Sequence, residues 1–133
     1  NVLLENGHEI GSHGWSHTRF NELHSSKAFW ELEESYHTIK KRTGQKEIHF
    51  AFPYGRFENF NRDYFNQCFS IGYKSCATAE RGSHYTKEVV DQDQLYLRRD
   101  HIVLDWPVNH SLYFLKRNLF GSRFENLYPN KIQ

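Results

Sequence analysis

Between His8 and Ala77 the apolar residues switch repeatedly between a short-run and a helical period, and that alternation constrains the fold more than any other feature of the chain. Val2, Leu3 and Leu4 followed by Glu5, Asn6 and Gly7 read as the end of a helix stopped by a glycine. A short strand is expected over residues 8–13, with Ile10 its strongly apolar side chain and His13 at its C-terminal end. After a loop through Asn21, Ser25 and Ser26 offer an N-cap, and Phe29, Leu32, Tyr36 and Ile39 then fall on one helical face. Lys40, Lys41 and Arg42 complement the negative end of the helix dipole, and Gly44 stops the helix. Residues 48–52 are an apolar run ended by Pro53, which reads as a second strand. Phe60, Tyr64, Phe65 and Phe69 supply the next helical stripe, Gly72 closes it, and residues 73–77 make a third strand. Strand, helix, strand, helix, strand in that order favours a parallel sheet with crossover helices, an α/β fold. Beyond it, the polar residues 78–94 are expected to form a loop, 96–104 a further strand, and 108–120 an outer helix begun by Pro107 at a tolerated first-turn position.

A length of 133 residues with 38% hydrophobic content suffices for one core and not for two. The formal net charge of +1 lacks the broad basic footprint of a nucleic-acid partner, and the run Lys40–Arg42 reads as a solvated helix end. No apolar run approaches the roughly 20 residues of a membrane span. Two cysteines, Cys68 and Cys76, could pair in an oxidising compartment but are too few for a disulfide framework, and buried free thiols are the expected case. The chain opens on Asn1 in what reads as the last turns of a helix, so it is expected to be a fragment, and its oligomeric state is not legible.

Chemistry concentrates in GSHGWSHTRF, where His13 and His17 stand four positions apart. At helical spacing, two imidazoles so placed share one side and can share a divalent cation. The competing reading makes them loop residues bonded to backbone groups. Two ligands do not complete a catalytic zinc site, which takes three from the protein, so a third has to come from elsewhere. The second focus is FAFPYGRF, in which Pro53 cannot donate a hydrogen bond while the Tyr54 amide can be left as a preformed donor. Taken alone, Pro-Tyr-Gly favours an ordinary turn over a functional one.

GHEIGSHGWSH together with FAFPYG resembles two successive signatures of the NodB-type polysaccharide deacetylases, carbohydrate esterase family four, and the likeness extends over residues 1–105. The resemblance implies a distorted (β/α) barrel, present here in part over residues 1–120 with 121–133 as a C-terminal tail. It implies a divalent metal, commonly zinc, held by His13 and His17. It also implies Pro53 and Tyr54 lining the substrate pocket, with the Tyr54 amide steadying the oxyanion. The implied reaction is removal of N-acetyl groups from an N-acetylated polysaccharide or oligosaccharide by metal-activated water, and the implied setting is extracytoplasmic or the cell envelope. Departures accompany the match. The family's T-F-D-D segment, source of the base and metal aspartates, does not occur in this sequence, so the piece is expected to be inactive by itself. Ala51 stands where many members carry arginine, a variant similar to the poly-N-acetylglucosamine deacetylases. His101 and His110 take no role as the general acid, and Asp105 with Trp106 is expected to start a helix.

A different class of reading makes the chain a noncatalytic carbohydrate-binding remnant. Trp15, beside the histidines, is then the aromatic expected to stack on a sugar, while Trp30 and Trp106 are assigned to packing at the core edge.

Overall fold

A computed structural model of the chain describes residues 2–81, 89–91, 94–99, 101–114 and 116. Helix α1, Val2–Glu5, ends as expected: the amides of Gly7 and His8 return to the carbonyls of Leu4 and Leu3 at 3.0 Å each, with Gly7 in the left-handed region. The strand expected over residues 8–13 is reduced to one parallel bridge, Ser12 against Phe50. The Gln45 side chain takes the place of a neighbouring strand there, accepting from the Ile10 amide at 3.0 Å and donating to its carbonyl at 3.3 Å.

Helix α2, Ser25–Thr43, is capped by His24 rather than by Ser25 or Ser26, which already lie inside it; the His24 Nδ1 accepts from the Ser26 amide. Its buried face carries Ala28, Glu31, Leu32, Ser35 and Tyr36. Phe29, expected on that face, is 38% exposed, because the stripe is turned by one position to bring Glu31 inward.

Strand β1, His49–Ala51, is followed by helix α3, Asp63–Ile71, and strand β2, Ser75–Ala77, which pairs in parallel with β1 in the register Phe50 opposite Cys76. Strand β3, Val89–Asp91, lies within the stretch expected to be loop: two adjacent β-branched valines suit a strand even among polar neighbours. It runs antiparallel to β4, Gln94–Leu97, which is shorter than the expected strand over 96–104 and pairs in parallel with β2. The sheet order is β1-β2-β4-β3, three parallel strands with one antiparallel strand at the edge, and with its helices it makes an α/β arrangement. Residues 108–114 are helical, as expected after Pro107. The rest of that expected helix, apart from residue 116, and the expected tail over 121–133 lie outside the described residues.

The two faces of the sheet differ. Phe50 and Cys76 pack beneath α2 and α3 in a core dominated by aromatic rings, among them Phe20, Phe52, Phe60, Phe65 and Tyr73. Phe52 and Phe60 stack at 4.0 Å, and Phe20 and Phe65 meet Phe52 edge-on at 5.6 and 5.5 Å. Cys68 and Cys76 are free and buried, and burial together with the neighbouring Cys76 pushes the Cys68 thiol well up, leaving it protonated. On the opposite face His49, Ala51, Ser75, Ala77 and Leu97 line an open concavity of about 550 Å³. Among the described residues no helix is long and apolar enough to cross a membrane.

Candidate functional site

At the C-terminal edge of β1 the chain crosses itself. Ser12 donates its amide to the His49 carbonyl and accepts from the Ala51 amide, both at 2.8 Å. That bridge delivers His13, whose Nδ1 lies 2.7 Å from the Ala51 carbonyl oxygen. A carbonyl only accepts, so Nδ1 carries the proton and the neutral ring keeps its lone pair on Nε2. Metal-binding histidines are oriented by this kind of second contact.

Residues 13–17 are not helical, contrary to the spacing argument. The loop curls because Gly14 and His17 both take left-handed conformations, at φ 77° and 57°. For Gly14 that φ is the constraint, since an added Cβ would meet Pro53, Glu31 and Phe20 only at ordinary contact distances of 3.5 to 3.8 Å. The curl sets the rings of His13 and His17 4.8 Å apart between centroids. The pair therefore converges by a route other than the helical turn.

The loop is shaped from beneath by a carboxylate. Glu31, 1% exposed, accepts from the Trp15 and Ser16 amides through Oε2 at 2.7 Å each, and from the Ser16 hydroxyl through Oε1 at 2.6 Å. Lys27 stands 3.8 Å from the same Oε1. Burial by itself pushes the Glu31 carboxyl up, but the Ser16 hydroxyl, the two amides and Lys27 outweigh it and hold the group below its usual range. Alongside, the buried Ser12 hydroxyl donates to the Ser35 hydroxyl at 2.8 Å, which lies 2.9 Å from the Tyr73 phenol, and Tyr73 donates to the Leu32 carbonyl at 2.9 Å. Burial pushes the Tyr73 phenol well up, so this chain of hydroxyls stays neutral. Glu31 was not legible as a functional residue in the sequence; the available signal is a carboxylate three positions after Ala28 and four before Ser35, on the buried face.

The Pro53–Gly55 turn faces the loop. Pro53 is buried, and Tyr54 takes a left-handed φ of 61°. The Gly55 amide returns to the Pro53 carbonyl at 2.7 Å, and the Gly55 carbonyl accepts from Ala79 at 2.7 Å. A side chain at Gly55 would place its Cβ 2.6 Å from the Ala79 nitrogen, so the close approach of two backbones requires glycine. Among the described residues the Tyr54 amide has no hydrogen-bond partner. The Tyr54 ring lies 5.2 Å from that of His17 and under the Arg19 guanidinium at 4.3 Å.

The structure thus brings His13, His17 and Tyr54 together beside Pro53. Among the described residues no three His, Cys, Asp or Glu side chains converge as a metal-holding group. The two imidazoles fit a share of a divalent cation by their donor chemistry, with the free lone pair of His13 fixed by Ala51. Trp15 is 51% exposed and meets Trp30 edge-on at 5.7 Å. Trp106 packs on Phe114 at 5.3 Å and edge-on to His110 at 4.5 Å.

The family model for polysaccharide deacetylases matches residues 1–75, more than half of the chain. No curated protein and no solved structure matches it.

Proposed function

The chain belongs to the polysaccharide deacetylase family, hydrolases acting on polysaccharides, and from that membership we propose that it carries half of a metal-dependent site for removing N-acetyl groups from an N-acetylated glycan. His13 and His17 hold a divalent cation, zinc being the first candidate, and Pro53 and Tyr54 border the acyl group. When bound, the cation supplies Lewis acidity toward the acetamide carbonyl and makes the attacking water more acidic. The observation that carries this reading is the fixed ring of His13, with Nδ1 on the Ala51 carbonyl and its partner imidazole 4.8 Å away.

The remaining work falls to the chain's own groups. Glu31 holds the loop so that both imidazoles meet one ion without reorganising. The unpaired Tyr54 amide is a preformed donor for the oxygen on which charge develops as the carbonyl is attacked, a contribution of about 3 kcal/mol for such donors. A third ligand and a general base would be carboxylates from outside this loop, and among the described residues none converges on it, so we expect the chain by itself to bind the cation without turning over substrate. The helices on one sheet face and the open concavity on the other support a partial (β/α) barrel, in which His49, Ala51, Ser75, Ala77 and Leu97 would face the interior.

Zinc titration calorimetry on the chain and on the His13→Ala/His17→Ala variant tests the proposal. Binding that disappears in the double variant is the expected result; equal heats from both proteins would sink it. The half-exposed Trp15 favours a second reading, sugar binding without hydrolysis, which predicts glycan binding that is lost in Trp15→Ala and indifferent to zinc.

A further inference from the structure

Next to the Pro53–Gly55 turn a second cavity, about 330 Å³, is lined by Arg56, Ala79, Arg81, Arg99 and His101. Three separate returns of the chain build it. Arg56 follows the turn, Ala79 and Arg81 follow β2, and Arg99 and His101 follow β4. The backbones are tied where they meet: Ala79 donates to the Gly55 carbonyl at 2.7 Å, and the Arg99 Nε donates to the Thr78 carbonyl at 2.9 Å. The Arg81 carbonyl accepts from Arg98 at 3.2 Å.

Three arginines lining one small space bring like charges into one neighbourhood, a cost that a bound anion would relieve; the Arg81 guanidinium lies 5.6 Å over the Phe114 ring. Among the described residues none of the three forms an ion pair with a carboxylate. Glu80, next to Arg81 in sequence, uses its Oε1 to accept from the Phe57 amide at 2.7 Å, and Asp100, between Arg99 and His101, lies outside the described residues. The arrangement suits an oxyanion, which the planar forks of arginine bind through paired N–H donors. Its place also matters: Arg56 is two residues from Tyr54, a Cα separation of about 7 Å at most. An anion held here is therefore a neighbour of any sugar whose acetamide lies at Tyr54.

We propose that the cavity of Arg56, Arg81, Arg99 and His101 is an anion subsite, and that the glycan recognised by this chain is acidic, carrying a carboxylate or a phosphodiester beside the N-acetylated sugar. This rests on the glycan reading of the neighbouring site. Arg56, Arg81, Arg99 and His101 are all exposed, which limits each contact, so the cluster is expected to favour an acidic oligomer by about tenfold over a neutral one of equal length.

The test is calorimetry with three oligosaccharides of equal length: neutral N-acetylglucosamine units, N-acetylglucosamine alternating with glucuronic acid, and N-acetylglucosamine joined by phosphodiesters. Either acidic oligomer binding about tenfold tighter than the neutral one, with the preference shrinking at high salt, supports the subsite, and the tighter of the two names the source of the anion. In Arg56→Gln/Arg81→Gln the preference should vanish while neutral binding stays; neither side chain makes a hydrogen bond among the described residues, Arg81 gives up only its contact over the Phe114 ring, and zinc binding reports that the variant is folded. Arg56→Lys/Arg81→Lys should keep part of the preference, since charge remains and the fork is lost. Equal affinity for all three oligomers overturns the subsite and leaves the deacetylase reading intact. No binding of any oligomer overturns it too, and if zinc binding is also absent the reading beneath it falls as well.

Discussion

The residue on which the candidate site depends most is Glu31, which touches neither substrate nor metal in the proposed reaction. Replacing it with alanine leaves the Trp15 and Ser16 amides without their acceptor and is expected to cost about 3 kcal/mol, read from urea unfolding. Zinc affinity should fall with it, because the loop that sets His13 against His17 loses its template. The pH dependence has a definite sign. The folded Glu31 carboxyl sits below its unfolded value, so its stabilisation is complete above the unfolded value of about 4.3 and is lost as pH falls through the folded one. Stability curves for the native chain and Glu31→Gln should therefore differ near neutrality and converge in acid; a constant gap down to the lowest pH would refute the assignment. At this scale the sequence pointed to His13 and His17 as neighbours, but by a helical spacing that the structure replaces with a curled loop. The carboxylate was not legible, because an acidic residue on a helix reads as solvated until the helix is docked and its face fixed.

Among the elements, the order of helices and strands was legible from the change of apolar period, as Leu32 and Tyr36 in α2 and Phe65 and Phe69 in α3 show. What escaped was whether backbone groups pair with strand or with side chain. Residues 8–11 have the look of a strand, yet Ile10 is paired at both its amide and its carbonyl with Gln45, a residue 35 positions away. No local pattern encodes that contact. Gln45→Ala should cost about 1 kcal/mol and speed hydrogen exchange at the Ile10 amide while leaving the core strands protected. Unchanged exchange at Ile10 would show that the segment is held by something other than the glutamine. β3 escaped for the opposite reason: its two valines are a strand signal too short to stand out from the polar residues around it.

For the molecule as a whole, the unequal faces of the sheet decide its behaviour. One face is sealed by the aromatic core, while among the described residues the other remains an open and mainly apolar concavity beside the single Ser12 bridge. Open sheet surface and a thinly covered β1 edge are templates for association. Sedimentation velocity of the chain should show concentration-dependent self-association, and Ala51→Lys, which puts a charge into the concavity, should shift it toward monomer. A monomer over the whole concentration range, melting cooperatively at high temperature, would contradict this.

The contact between His13 and the Ala51 carbonyl carries one more consequence. It joins the candidate ligand to a strand 38 residues further on, so the two imidazoles acquire their fixed relation only once β1 is in place. An ion taken up by this pair then binds the folded chain in preference to the unfolded one, and free zinc becomes a variable of stability on the same footing as temperature or urea. At a hundred times its dissociation constant the ion would add about 2.7 kcal/mol. If the pair holds an ion as proposed, scarcity of that ion would lower the occupancy of the site and the resistance to proteolysis in the same concentration range.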